Sequence, residues 1–289
     1  MIGRRLFSLA VLAFLACCAV ATAQQKVIFQ KQSPYNTVVV TEDDQGMRTL
    51  LFGSEGVRQS VVKVGDPDHL ELPYAKAMLS GLALCPEPKR VLVVGLGGGT
   101  IPSFLHKHYP QTWIDAIDID PVVVEVAKQF FGFSEDVTLK AHVRDGRQFI
   151  EERLNAYDVI FLDAFGSENI PYHLATREFL EAVRRSITVQ GVVLADVWSR
   201  GLNPLYDSMV RTYQEVFDEL YILDVRDSGN KILIALPRKL RIGREELARR
   251  AGAISKEKQF RFDMGELVTY GYQYADEKYP RAHVLTDKK

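Results

Sequence analysis

The 289 residues are 47% hydrophobic and 25% charged, with 36 Lys+Arg against 37 Asp+Glu. This is ordinary globular composition with enough apolar material for a core, which excludes a disordered chain, a collagen and a disulfide scaffold. A formal net charge of −1 offers no global field to nucleic acid, and no local basic patch stands out, so no nucleic-acid partner is expected.

Residues 1–23 read as an export signal: Arg4 and Arg5, an uncharged run from Leu6 to Val20, then the small residues Ala21-Thr22-Ala23 before a cut at Gln24. The mature protein is then expected in the periplasm or secreted. Uncleaved, residues 6–23 would be just long enough to anchor the chain in a membrane. The paired arginines match a twin-arginine signal loosely, and Leu15-Ala16-Cys17-Cys18 matches a lipobox more weakly. Cleavage removes two arginines, no acid and two of the three cysteines, which leaves a mildly acidic chain with Cys85 as its single thiol. No intramolecular disulfide can then form, so stability must come from the core, and Cys85 itself is expected to be inert.

From Val27 to about Gln59 short apolar runs (residues 37–40 and 49–52) alternate with the turn chemistry of Asp43–Gly46 and Gly53–Gly56, which predicts a small antiparallel sheet. A helix over 72–82 follows, then a boundary at Pro86-Glu87-Pro88. Beyond it, strands at 90–94, 113–118, 137–142, 157–163, 191–197, 220–225 and 231–236 alternate with helices at 101–108, 121–130, 146–153, 174–186 and 204–217. That alternation predicts a doubly wound α/β domain with a seven-stranded mixed sheet. Only residues 226–230 separate the last two strands, too short for a crossover, so they should form an antiparallel hairpin at one edge. From Lys239 a charged helical stretch leads into an aromatic-rich run (Tyr270, Tyr272, Tyr274, Tyr279) with no assignable element.

The first strand–helix junction, Val94-Gly95-Leu96-Gly97-Gly98-Gly99-Thr100, lets the backbone turn sharply and lets a ligand approach its N–H groups beside a helix N-terminus. Asp118 ends the second strand at the spacing where an acid accepts hydrogen bonds from ribose hydroxyls, whereas Asp120 before Pro121 suits a helix cap. Arg144-Asp145-Gly146 ends the third strand and Asp163 the fourth. Ligands of open α/β sheets bind outside the carboxyl ends of the strands, where all of these fall. Any single Asp here could instead cap a helix. His106 and His108 lack metal-ligand spacing, so no metal is expected. Trp198 and Tyr172 follow strand ends and suit either an acceptor pocket or core packing.

Taken together these residues resemble the spermidine synthase family, aminopropyltransferases with the class I methyltransferase fold. The resemblance covers roughly residues 33–236. The chain is accordingly read as four regions: the signal at 1–23, a β-hairpin domain with linking helix at 24–86, a methyltransferase-like α/β domain at 87–240, and a C-terminal extension at 241–289. The resemblance implies that Gly95, Gly97 and Gly99 hold a sulfonium nucleoside, Asp118 its ribose, Asp145 with Gly146 its adenine, and that Asp163 is catalytic. Upstream, Gly56–Ser60 is similar to a turn ending in a substrate-site Gln, here Gln59, and Tyr74 to the Tyr of the next helix. Downstream, Val284-Leu285-Thr286-Asp287 is similar to a terminal motif of such proteins.

The chain departs from that pattern at four places. Thr100-Ile101 stands for Asp-Gly, Asn36 for a Gln, Ala75-Lys76 for His-Glu, and Gly166 for a second acid three residues after Asp163. The resemblance implies transfer of an aminopropyl group from decarboxylated S-adenosylmethionine to a small-molecule amine in polyamine biosynthesis, and it permits a homodimer. The shared loop and Asp118 also suit an S-adenosylmethionine-dependent methyltransferase. The missing acids and the export signal suit a non-catalytic exported binder of nucleosides or polyamines, because sulfonium nucleosides are made in the cytoplasm.

Overall fold

The structure, a computed structural model, describes residues 25–53, 56, 58–166, 170–277, 279 and 282–288. The export-signal reading, with Cys17 and Cys18, lies outside the described residues, as does Val57. No helix among the described residues is long and apolar enough to cross a membrane.

The chain opens with β1 (Lys26–Gln32), β2 (Thr37–Glu42), β3 (Met47–Phe52) and β4 (Arg58–Lys63), an antiparallel sheet in that order. Its central turn follows from local chemistry. Asp43 Oδ1 accepts from the N–H groups of Gln45 and Met47, both at 2.9 Å, and Gly46 takes the left-handed conformation at φ +76°. Then come α1 (Pro73–Leu79), a 3-10 turn at Ser80–Leu84, β5 (Arg90–Val94), α2 (Thr100–His108), β6 (Trp113–Asp118), α3 (Pro121–Phe130), β7 (Leu139–Val143), α4 (Gly146–Glu151) and β8 (Tyr157–Leu162). A 3-10 turn at Tyr172–Leu174 leads to α5 (Arg177–Ser186), β9 (Ile187–Trp198), α6 (Tyr206–Val216), β10 (Glu219–Asp224), β11 (Asn230–Leu236), α7 (Arg244–Glu257), α8 (Met264–Gly271) and β12 (Tyr272–Tyr274).

The main sheet runs β12-β10-β11-β9-β8-β5-β6-β7. The strands from β9 to β7 in this order are parallel, while β11 is antiparallel to both β10 and β9 because only Val225–Gly229 joins it to β10. Alternate strand residues feed two apolar layers. Val91, Val93, Phe161 and Leu194 pack with α1, α2, α7 and α8, while Leu92, Val94, Leu162 and Val193 pack with α4, α5 and α6. The valine-rich α3 turns two faces inward. Val124 and Ala127 join the first layer, and Val122, Val123 and Val126 pack against Val38, Val40 and Leu50 of the small sheet. That second contact seats the small sheet over the strand ends.

Three sequence expectations need correction. The sheet has eight strands rather than seven, and the β10–β11 hairpin is not at the edge, because β12 pairs antiparallel with β10 through Tyr221↔Tyr274 and Leu223↔Tyr272. A three-residue strand is too short to show alternation and exists because the exposed edge of β10 templates it. Strand β9 begins at Ile187 rather than Gly191, directly off the C-terminus of α5, so no turn residue marks its start.

The terminal segment is part of the packing. Leu285 is 7% exposed within the second layer, its N–H donates to Thr212 Oγ1 at 2.9 Å, and Asp287 forms a two-pronged pair with Arg147 at 2.8 and 2.6 Å. That guanidinium holds the Asp287 carboxyl down to about 2. Leu285→Ala should therefore lower the unfolding free energy by about 2 kcal/mol, the low end for truncating a buried leucine. Urea denaturation checks this, and an unchanged midpoint would show that the tail does not belong to the core.

Candidate functional site

A cavity of about 450 Å³ opens at the carboxyl ends of β5, β6, β8 and β9, with the small sheet and α1 on its other side. The first wall is the loop after β5. Gly95 sits at φ +98°, and a Cβ there would lie 2.2 Å from the Asp163 carbonyl oxygen. The glycine thus lets the β5 and β8 ends approach as closely as they do, with the Asp163 N–H donating to the Val94 carbonyl at 2.8 Å. Gly97 lines the cavity. Gly99 does not: it precedes α2 as its cap residue and faces the Phe133 ring, so its part is to shape the turn rather than to touch a ligand.

Asp118 at the end of β6 holds this loop. One carboxylate oxygen accepts from Leu96 N–H at 3.1 Å and the other from Asp120 N–H at 2.9 Å. Desolvation in the cavity raises its pKa to about 6, although these N–H donors pull the other way. A carboxylate has about four lone-pair sites, so acceptor capacity remains for hydroxyls of a ligand. Asp120 is the expected helix cap, taking Val122 N–H at 2.9 Å, and its second oxygen accepts from Ser33 of the small sheet.

Asp145 lines the cavity but is also a cap. It accepts from Gln148 N–H at 2.9 Å, and its other oxygen meets His173 Nε2 at 3.0 Å. The sequence reading, which preferred a ligand role over a series of caps, missed this double engagement and missed His173. Gly146 begins α4 against Val94 and leaves no room for a side chain there.

Asp163 follows β8 directly. Tyr74 of α1 donates its hydroxyl hydrogen to Asp163 Oδ2 at 3.3 Å, and the backbone carbonyl of Gln59 lies 3.4 Å from the same hydroxyl. Gln59, Tyr74 and Asp163 all line the cavity, so the small sheet, α1 and the main sheet converge there. Gln59 lies within β4 rather than at the end of a turn. Desolvation raises the Asp163 carboxyl well above the ordinary range, the nearby Asp196 charge raises it further, and the Tyr74 donation opposes both.

Asp196 was not singled out from the sequence. It lies near the end of β9, is 2% exposed, and lines the cavity. Asn230 of β11 donates to its Oδ2 at 2.7 Å, and its Oδ1 is buried with no hydrogen-bond partner. The signal was an acid inside the apolar run Val192–Val197, since a buried polar residue is the informative exception in a strand.

Of the departing positions, Asn36 lines the cavity from the β1–β2 turn, while Ala75 is buried in the core and Lys76 is not among the lining residues. Trp198 lines the cavity and stacks on Phe165 at 5.5 Å between ring centroids. Tyr172 instead donates to the Thr286 carbonyl, 3.1 Å away, and fastens the tail. Burial pushes the Cys85 thiol up to about 11, so it is a poor nucleophile. His106 pairs with Asp136 and His108 with Asp68, and among the described residues no group of three or more His, Cys, Asp or Glu could hold a metal ion.

If the Asp118 carboxylate accepts from ribose hydroxyls, methylthioadenosine affinity should be flat above pH 7 and fall as pH drops through about 6, where the carboxyl takes up its proton. Gly95→Ala should weaken the same binding at least about tenfold, since the β5 and β8 ends must separate. Calorimetric titration reads both, and a pH-independent affinity or an unaffected Gly95→Ala variant would contradict this reading of the loop.

Comparison with known proteins agrees with this geometry. The spermine/spermidine synthase domain matches residues 73–221. A polyamine aminopropyltransferase of Vibrio vulnificus is 35% identical over 237 residues, 78% of each chain. A probable spermidine synthase of Corynebacterium glutamicum superposes with a TM-score of 0.72 at 20% identity, over 90% of this chain and 96% of that one, which speaks to the fold. Human methyltransferase-like protein 13 in complex with SAH superposes with a TM-score of 0.59 at 33% identity, over 65% of this chain and 93% of that one. The chain belongs to the spermine/spermidine synthase family.

Proposed function

We propose that the chain is a transferase that moves the aminopropyl group of decarboxylated S-adenosylmethionine to a small-molecule amine, in polyamine biosynthesis. The observation that carries this is Asp163, a cavity carboxylate fixed by Tyr74 and placed against the glycine loop by Gly95. The V. vulnificus relative's activity, over 78% of both chains, supports the same reaction.

In this reading Asp118 and the loop hold the nucleoside so that its sulfonium-bound methylene faces Asp163. The acceptor arrives as an ammonium ion, and Asp163 takes one of its protons. The freed nitrogen lone pair forms the new N–C bond as the C–S bond breaks, and the electron pair leaves with sulfur as a neutral thioether. The protein's work is positioning and proton removal. Acidic lining at the reacting end favours a donor without a carboxylate, which is why the decarboxylated form is preferred to S-adenosylmethionine. Methyl transfer from S-adenosylmethionine is the second reading, supported by the likeness to the human methyltransferase.

Incubation of the purified protein with decarboxylated S-adenosylmethionine and a series of α,ω-diamines should yield methylthioadenosine. S-adenosylhomocysteine from S-adenosylmethionine would favour methyl transfer, and no turnover of either donor would leave a non-catalytic binder. Asp163→Asn should lower kcat by about 100-fold or more while keeping nucleoside affinity, the usual size of a general-base contribution.

We further infer export to the periplasm or beyond, supported by Arg4-Arg5, the apolar run and Ala21-Thr22-Ala23. N-terminal sequencing of the exported protein should begin at Gln24, whereas an intact Met1 in a membrane fraction would indicate an anchor formed by residues 6–23.

A further inference from the structure

Asp163 and Asp196 are neighbours by register. Leu162 of β8 pairs with Ala195 of β9 in parallel, so each Asp is the next residue on its chain, with strands about 4.8 Å apart. Both line the cavity. Asn230, whose strand partner is Trp198, reaches diagonally to hold one Asp196 oxygen and leaves the other, Oδ1, without a partner. An unpartnered carboxylate oxygen on a side chain 98% buried is costly unless a ligand completes it.

The groups facing the pair are neutral or acidic. Tyr74 comes from α1 and Asn230 from β11, and Asp227 lines the cavity from the β10–β11 turn. Of the lining cations, Arg144 is forked onto Glu152, His173 meets Asp145, and Arg58 is an exposed residue of β4. Two adjacent carboxyls without a cation cannot both stay ionised cheaply, so the pair keeps at least one proton at neutral pH. Burial raises both carboxyls above the ordinary carboxylate range.

We propose that Asp163 and Asp196 together hold the acceptor's ammonium group, and that its entry expels the pair's retained protons to solvent. This rests on the transferase reading above and adds to it a second acceptor-binding acid, drawn from β9, and a proton count. The ammonium donates to Asp163 and to the open Oδ1 of Asp196, which leaves both carboxylates ionised. In the reaction Asp163 then accepts one ammonium proton, the neutral amine attacks, and Asp196 stays ionised opposite the new secondary ammonium. The preferred acceptor is thus a primary amine that is cationic in solution, and the acid absent at Gly166 is replaced from a different strand.

The test is calorimetry of the methylthioadenosine-loaded protein with 1,4-diaminobutane at pH 7, in buffers of different ionisation enthalpy. Release of at least one proton per amine bound is expected, as for a carboxyl pair that is not fully ionised before the amine enters. Asp196→Asn keeps an oxygen for Asn230, so it should fold and bind methylthioadenosine normally. It should reduce the proton release and raise the amine KM at least about tenfold, with a smaller effect on kcat, as expected for losing a hydrogen bond to a charged group. Amine binding without proton release in the wild type, or an Asp196→Asn variant with wild-type KM, would overturn the pair while leaving the transferase reading intact. A wild type that binds no amine and forms no methylthioadenosine would overturn both.

Discussion

The site depends on one constraint, the parallel register that brings strand ends to a common level. Val94 is level with Ile117 on one side and Leu162 on the other, and Leu162 is level with Ala195. The residue after each is Gly95, Asp118, Asp163 and Asp196. Because strand side chains alternate in direction, a slip of one residue in any strand would turn its acid away from the cavity and expose its apolar set. The two buried layers prevent that slip, so the packing that stabilises the sheet also fixes the chemistry. Gly95 is where the two requirements meet, since only a missing Cβ lets the Asp163 backbone lie against the loop.

The remaining elements close the site around this row. The small sheet is seated on α3 by valines and by Arg48, which donates to the Phe130 carbonyl at 2.8 Å, and it carries Gln59 and Asn36 to the cavity. The α1 helix brings Tyr74 to Asp163, and the β10–β11 hairpin brings Asn230 to Asp196. The cavity therefore gathers acidic side chains with few compensating cations. Buried carboxylates of this kind oppose stability and gain their partner when a cationic ligand enters, the usual conflict between a stable fold and a prepared site.

Much of this was legible in the sequence because the relevant signals are local. Buried parallel strands read as continuous apolar runs, so β5 was bounded to the residue, and Asp120-Pro121 marked the start of α3 through the chemistry of a cap followed by proline. Features that depend on distant partners were not legible. The β12 strand exists by pairing with β10, the extra residues of β9 run straight on from α5, and Asp145 is occupied by a helix end and by His173, 28 positions away. Asp196 was visible as an acid in an apolar run but had no motif to announce it. Its significance comes from standing beside Asp163, which requires the order of the sheet.

The most direct test of the site is a crystal structure with methylthioadenosine and 1,4-diaminobutane bound together. The expected result has ribose hydroxyls on Asp118, the thioether sulfur turned toward Asp163, and one amine nitrogen within about 3.2 Å of both Asp163 and Asp196. A nucleoside bound away from the glycine loop, or an amine held elsewhere with the two carboxyls still facing each other, would contradict it.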